Sequence, residues 1–154
     1  YSSAASDVYK RQEQADVSEK SIKGLHILLA EDNELNMEIA EFVLQNEGAE
    51  VSKAWNGEET VELFRKSESG EFDAILMDIM MPVMNGYEAT KMIRSLDRED
   101  AKVIPIIAMT ANAFEEDRKH ALQLGMNEHL AKPVDIEKLK DVLTKYFNHE
   151  KREK

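Results

Sequence analysis

Cysteine is absent from the 154-residue chain. Disulfides and thiolate metal sites are therefore excluded, and nothing ties the protein to an oxidising compartment. Positive charge is scarce: 20 Lys and Arg stand against 31 Asp and Glu, a formal net charge of −11. That balance disfavours nucleic acid and anionic membrane surfaces as partners. Long hydrophobic runs are missing as well. The longest, "HILLA" and "VIPIIAM", fall far short of the roughly 20 apolar residues that cross a bilayer. No basic-then-apolar leader opens the chain, so no membrane insertion is expected. The histidines lack HExxH or paired spacing, and His26 and His149 in particular carry no metal-ligand pattern. Glycine is sparse, and the six that occur form no GxxxxGK[ST] phosphate loop.

What is present suits one domain with a real core, since 42% of the residues are hydrophobic. Residues 2–12, "SSAASDVYKRQ", have no apolar period and resemble the in-frame translation of an adaptor used in transposon-based DNA library preparation. Residues 1–12 are therefore set aside as an artefact. Residues 13–23 are polar and charged, as a linker would be. A domain over 24–147 and a polar tail over 148–154 complete the expected division.

From Leu25 the apolar pattern is regular. "LHILLA" reads as a strand, and Leu35, Ile39, Phe42 and Val43 then share one face of a helix that Gly48 stops. "AEVSKA" alternates as a half-buried strand, and Val61 and Phe64 mark the next helix. "DAILM" is a third strand, followed after Gly86 by a helix carrying Ala89, Met92 and Ile93. "PIIAMT" is a fourth, with Pro105 at its start, where a missing N–H is tolerable. "EEDRKHALQLG" reads as a helix, "EHLA" as a fifth strand, and Ile136, Leu139 and Leu143 stripe a final helix. Five strands alternating with five helices imply an α/β fold, a doubly wound parallel sheet covered on both faces.

In such sheets the functional groups lie beyond the carboxyl ends of the strands, where the strand order switches. Those ends carry Glu31 and Asp32, Asp78, Thr110 and Lys132. Neighbouring carboxylates repel by about 4 kcal/mol per pair at an effective dielectric near 20, so the group calls for a hard divalent cation with oxygen ligands. Lys132 adds a point charge and Thr110 a hydroxyl donor. Together they describe a site for a phosphoryl group on Asp78, an aspartyl nucleophile. Taken singly, each residue has a plainer reading. Asp78 could be a turn cap, Thr110 an ordinary strand end and Lys132 a solvated turn residue. The methionines Met77, Met80, Met81 and Met84 suit packing, His120 suits a charged surface, and Trp55 a half-buried aromatic.

In order and spacing, "ILLAEDN", "DAILMDIMMPVMNG", "IIAMTA" and "HLAKP" resemble the receiver domain of two-component response regulators, over about residues 24–147. The resemblance implies a flavodoxin-like (βα)5 fold with strand order 2-1-3-4-5. It implies Asp78 as phosphoacceptor, Asp32 as a direct Mg²⁺ (or Mn²⁺) ligand, Glu31 as the second acidic residue and the Met80 backbone carbonyl as a further ligand. Thr110 becomes the switch hydroxyl, Ala111 the small residue beside the phosphoryl group, and Lys132 the family's lysine, joined to Pro133 by a cis bond. His129 stands where relatives have Tyr or Phe as a rotameric switch, and its ring is expected to turn inward on phosphorylation. Asn85 replaces a frequent aspartate and is expected to serve the turn through left-handed geometry.

The implied phosphodonor is a histidine kinase or a histidine phosphotransfer domain. "NHEKREK" is too short for an output domain, and "ILLAEDNELNMEIA" and "IIAMTANAFEEDRKHAL" resemble hybrid-kinase receivers. The expectation is a non-enzymatic receiver module that assists its own phosphorylation and dephosphorylation. It is read as cytoplasmic, either free-standing or the C-terminal receiver of a hybrid sensor histidine kinase, which itself could be membrane-anchored. The competing class is an aspartate-nucleophile phosphatase acting on a small phosphorylated metabolite. That reading needs an acid or base two residues after the nucleophile, where this chain has Met80.

Overall fold

The computed structural model describes residues 21–111 and 115–153; the adaptor-like segment and the linker up to residue 20 lie outside them. The elements are β1 (His26–Ala30), α1 (Glu34–Asn46), β2 (Glu50–Ala54), α2 (Gly57–Lys66), β3 (Ala74–Asp78), α3 (Gly86–Arg94), α4 (Glu99–Val103), β4 (Ile106–Thr110), α5 (Glu115–Gln123), β5 (Glu128–Ala131) and α6 (Ile136–Glu153). The strands form one parallel sheet in the order β2-β1-β3-β4-β5.

Alternation along the strands divides the core in two. Leu28, Ile75, Met77, Ile106 and Ala108 point to one side, where Val61 and Phe64 of α2, Ala89 and Ile93 of α3, and Ala121 of α5 cover them. Ile27, Leu29, Leu76, Ile107 and Met109 point to the other, under Met37 and Leu44 of α1 and Leu139 and Leu143 of α6. β3 is buried along its whole length, so its near-continuous apolar run reflects helices on both faces.

Four features differ from the sequence expectation. A sixth helix, α4, sits between α3 and β4. It spans five residues and buries only Ala101, too little chain for a helical period to show. The apolar stripe that marks α1 is not its packed face: Leu35 and Phe42 are 64% and 70% exposed, while Met37, Ala40 and Leu44 meet the sheet. Ile22, inside the expected linker, is fully buried in the α1/α6-side core, so packing begins before Gly24. At the other end, the expected polar tail continues α6 to Glu153.

Arg98 joins elements distant in sequence. Its guanidinium donates to the carbonyls of Phe64 (2.8 Å) and Ser67 (2.9 Å), closing the end of α2. It also lies 4.6 Å from the centroid of the Phe64 ring and pairs with Asp100 at 2.7 Å. These bonds satisfy carbonyls that a helix end leaves orphaned. Arg98→Ala is expected to lower unfolding free energy by about 2 kcal/mol, the scale of a charged hydrogen bond, read as a lower denaturant midpoint. Ile22→Ala is expected to lose about 2–4 kcal/mol, as for other buried Ile truncations. A loss below about 0.5 kcal/mol, typical of surface positions, would contradict its place in the core.

Candidate functional site

The sheet register brings the strand ends to one edge. Ala30 pairs with Ala54 on one side and Met77 on the other, Asp78 pairs with Met109, and Thr110 with Ala131. β1 and β3 are adjacent although α1, β2 and α2 separate them in sequence. Glu31 and Asp32 therefore leave the sheet beside Asp78, at the point where strand order switches.

Glu31 and Asp78 are buried, at 2% and 1% exposure, whereas Asp32 is exposed. One carboxylate oxygen from each of the three lies within 4.8 Å of the others. Lys132 reaches between the buried pair, with Nζ 2.8 Å from Asp78 Oδ2 and 3.0 Å from Glu31 Oε2. Met80 N–H donates to Asp78 Oδ1 at 3.2 Å, and Asn33 N–H to Glu31 Oε1 at 3.1 Å.

Burial raises the Glu31 pKa above its ordinary value; Lys132 and the Asn33 amide oppose the rise, and the Asp78 charge adds to it. For Lys132, burial acts to lower the pKa, but its bonds to Asp78 and Glu31 prevail and hold it above the usual lysine value. One ammonium therefore stands between two buried carboxyl groups, with the third, Asp32, exposed beside them. This oxygen-only, partly open donor set fits a hard divalent cation such as Mg²⁺.

Thr110 ends β4 half-buried, and its carbonyl accepts from Lys132 N–H at 2.7 Å. Ala111 follows it, exposed, and the Lys132–Pro133 peptide is cis. A cleft of about 360 Å³ opens beside the site, lined among others by Glu31, Asn36, Ile39, Ala111, Lys132 and Pro133. Asp78 and Thr110 are not in its wall. Asn36 and Ile39 carried no signal in the sequence beyond helical spacing.

The two positions that depart from the family pattern are both placed. His129 lies inward, 7% exposed on the sheet face opposite Leu130, and its buried Nε2 has no hydrogen-bond partner among the described residues. Burial lowers the His129 pKa, against the pull of Asp117 and Glu128. Asn85 is not left-handed. At φ −77° it caps α3, accepting from Glu88 N–H at 2.9 Å in a capping box. The left-handed residue of the loop is Val83, at φ +68°.

Known proteins share this architecture. The chain is 35% identical over 148 residues to histidine kinase 1 of Arabidopsis thaliana, covering 77% of this chain. It is 34% identical over 119 residues to hybrid signal transduction histidine kinase I of Dictyostelium discoideum, covering 76%. It spans only 12% and 7% of the length of those two kinases.

Among solved structures, a receiver domain of a sensor histidine kinase from Pseudomonas aeruginosa PAO1 matches with TM-score 0.71 and 40% identity. The match covers 81% of this chain and 98% of that one, and that structure holds a magnesium ion in its active site cleft. The receiver domain of a Saccharomyces cerevisiae response regulator, crystallised with a histidine phosphotransfer protein, matches with TM-score 0.69 and 29% identity. Coverage is 80% of this chain and 89% of that one. The family model of the response regulator receiver domain matches residues 27–144. With the fold and the site edge agreeing, the chain belongs to the receiver-domain family of two-component signalling.

Proposed function

We propose that this receiver accepts a phosphoryl group onto Asp78 from a phosphohistidine donor, with Mg²⁺ or Mn²⁺ bound, and relays the change to its surface. The observation that carries this reading is the Asp78 carboxylate itself. It is 1% exposed, 2.8 Å from Lys132 Nζ and beside two further carboxylates. A structural role would not place so much like charge at a buried strand end, where desolvation is costly. A carboxylate oxygen of Asp78 attacks phosphorus, the bond to the donor imidazole nitrogen breaks, and that nitrogen keeps the electron pair. Held by Glu31, Asp32, Asp78 and the Met80 carbonyl, the metal ion would neutralise charge on the phosphoryl oxygens. Lys132 would supply a second positive charge, Thr110 a hydroxyl donor, and Ala111 room for the group.

The donor is proposed to be a histidine kinase or a histidine phosphotransfer domain. The exposed apolar stripe of α1, with Leu35, Ile39 and Phe42, supports a protein donor. Ile39 lines the cleft that also contains Glu31 and Lys132, so a partner seated on α1 meets the site edge. The phosphatase alternative finds no support at position 80, where the Met80 side chain is 76% exposed and offers no acid or base. No helix among the described residues is long and apolar enough to cross a membrane; action in the cytoplasm is proposed from the resemblance to receivers of histidine kinases. The module itself is read as a phosphoacceptor, and kinase activity belongs to a longer hybrid kinase containing it.

Asp78→Ala is expected to abolish acyl-phosphate formation, measured by intact mass after exposure to acetyl phosphate and Mg²⁺. Label recovered on another aspartate of the wild-type protein would overturn the assignment. Mg²⁺ is expected to stabilise the fold by about 2.7 kcal/mol at one hundred times its dissociation constant, read as a higher thermal midpoint. Asp32→Ala should remove most of that gain, and a variant keeping all of it would put the metal elsewhere.

Thr110 and His129 are proposed to couple the phosphoryl group to the surface formed by α5, β5 and α6. His129 also sets a pH dependence. Its folded pKa lies below the ordinary 6.5, so the neutral ring's stability is complete above that value and is lost as pH falls through the folded pKa. Wild type is expected to lose more stability than His129→Phe between pH 7.5 and 5, measured by urea denaturation. Parallel curves would refute it.

A further inference from the structure

We propose that Gly57, the first residue of α2, is a positioning residue for the metal-binding side of Asp78, acting through the β3–α3 loop. The inference rests on the proposed role of Asp78 and the Met80 carbonyl. The loop leaves β3 after Asp78 and closes on itself, because Gly86 N–H donates to the Ile79 carbonyl at 2.9 Å. Gly86 lies so near that a Cβ would come 2.5 Å from the Asp78 carbonyl oxygen. Within the loop, Met84 N–H donates to the Pro82 carbonyl at 2.7 Å, across Val83 at φ +68°. This is a γ-turn, a strained conformation that a β-branched residue adopts only under outside constraint. The loop's own side chains supply part of the constraint, since Ile79 and Met81 are buried in the core and Met84 packs against it, whereas Met80 and Val83 are 76% and 74% exposed.

Gly57 adds a backbone constraint from another part of the chain. Its N–H, which helix geometry leaves without an intrahelical acceptor, donates to the Met84 carbonyl at 2.9 Å. A Cβ on Gly57 would overlap the Met84 carbonyl oxygen and come 2.8 Å from its carbonyl carbon. The backbone of Gly57 has no left-handed φ, so what requires glycine is space and not conformation. The β2–α2 connection therefore presses on the far side of the loop whose near side carries Met80 and its hydrogen bond to Asp78. Helix propensity alone would favour Ala at this position, so local and loop effects of one added methyl group have opposite signs.

The experiment is a calorimetric Mg²⁺ titration of four proteins, with metal-free denaturant midpoints measured in parallel. Gly57→Ala is expected to bind Mg²⁺ about tenfold more weakly, the low end of what partners behind the metal ligands contribute, and to lose some metal-free stability because the added Cβ meets backbone. Asn56→Ala removes the side-chain oxygen that accepts from Glu59 N–H at 2.8 Å and loosens the same helix end without adding an atom. It should weaken binding by a smaller factor, and it decides the matter if Gly57→Ala does not fold. Arg98→Ala loosens the opposite end of α2 and should bind as wild type does. Wild-type affinity in both Gly57→Ala and Asn56→Ala overturns this inference alone, as does an equal loss in Arg98→Ala. A flat titration of the wild-type protein overturns the metal-site reading and this inference with it.

Discussion

The ammonium of Lys132, placed between two buried carboxylates, is the contact on which the rest of the site edge depends. Glu31 and Asp78 are both nearly inaccessible to water, and without a cation between them two like charges would share a poorly solvated edge. Lys132 reaches both because β5 ends at Ala131 and the chain turns at Pro133. The sheet order brings β1 beside β3, so that a single lysine spans residues far apart in sequence. Its charge offsets only part of theirs. The remaining negative potential, opening to solvent at Asp32, is what makes the edge receptive to a cation and, once one is bound, to an anion.

The strand ends were legible because each charged group interrupts an apolar run, and parallel topology sends every such interruption to the same edge. Asp78 and Lys132 needed only that rule to be brought together. Other features depend on comparisons that a single sequence does not contain. The outward stripe of α1 has the same period as its buried face, and period alone does not say which face meets the sheet. Ile22 is one apolar residue in a polar run, and its burial follows from where β1 begins. α4 is shorter than the pattern needed to recognise a helix. His129 read correctly as a residue of β5, but its depth is set by α5 lying over it.

Glycine illustrates the same limit. Gly48, at φ +89°, closes α1 and reads directly as a stop signal. Gly57 has unexceptional backbone angles, and its requirement comes from a carbonyl in a loop far along the chain. The first kind of constraint is local and can be read from neighbours. The second is visible only when two remote segments of backbone are seen in contact.

Helix α1 has consequences for how such a domain can diversify. Met37, Ala40 and Leu44 anchor it to the sheet, while Leu35, Ile39 and Phe42 lie on its outer side. The helix thus carries two independent texts on one backbone. Changes to the outer text leave the inner packing untouched, so surface chemistry can drift across copies of this fold without renegotiating its stability. Because both texts hang from the same rigid rod, anything that engages the outer side is held at a fixed distance from the strand ends.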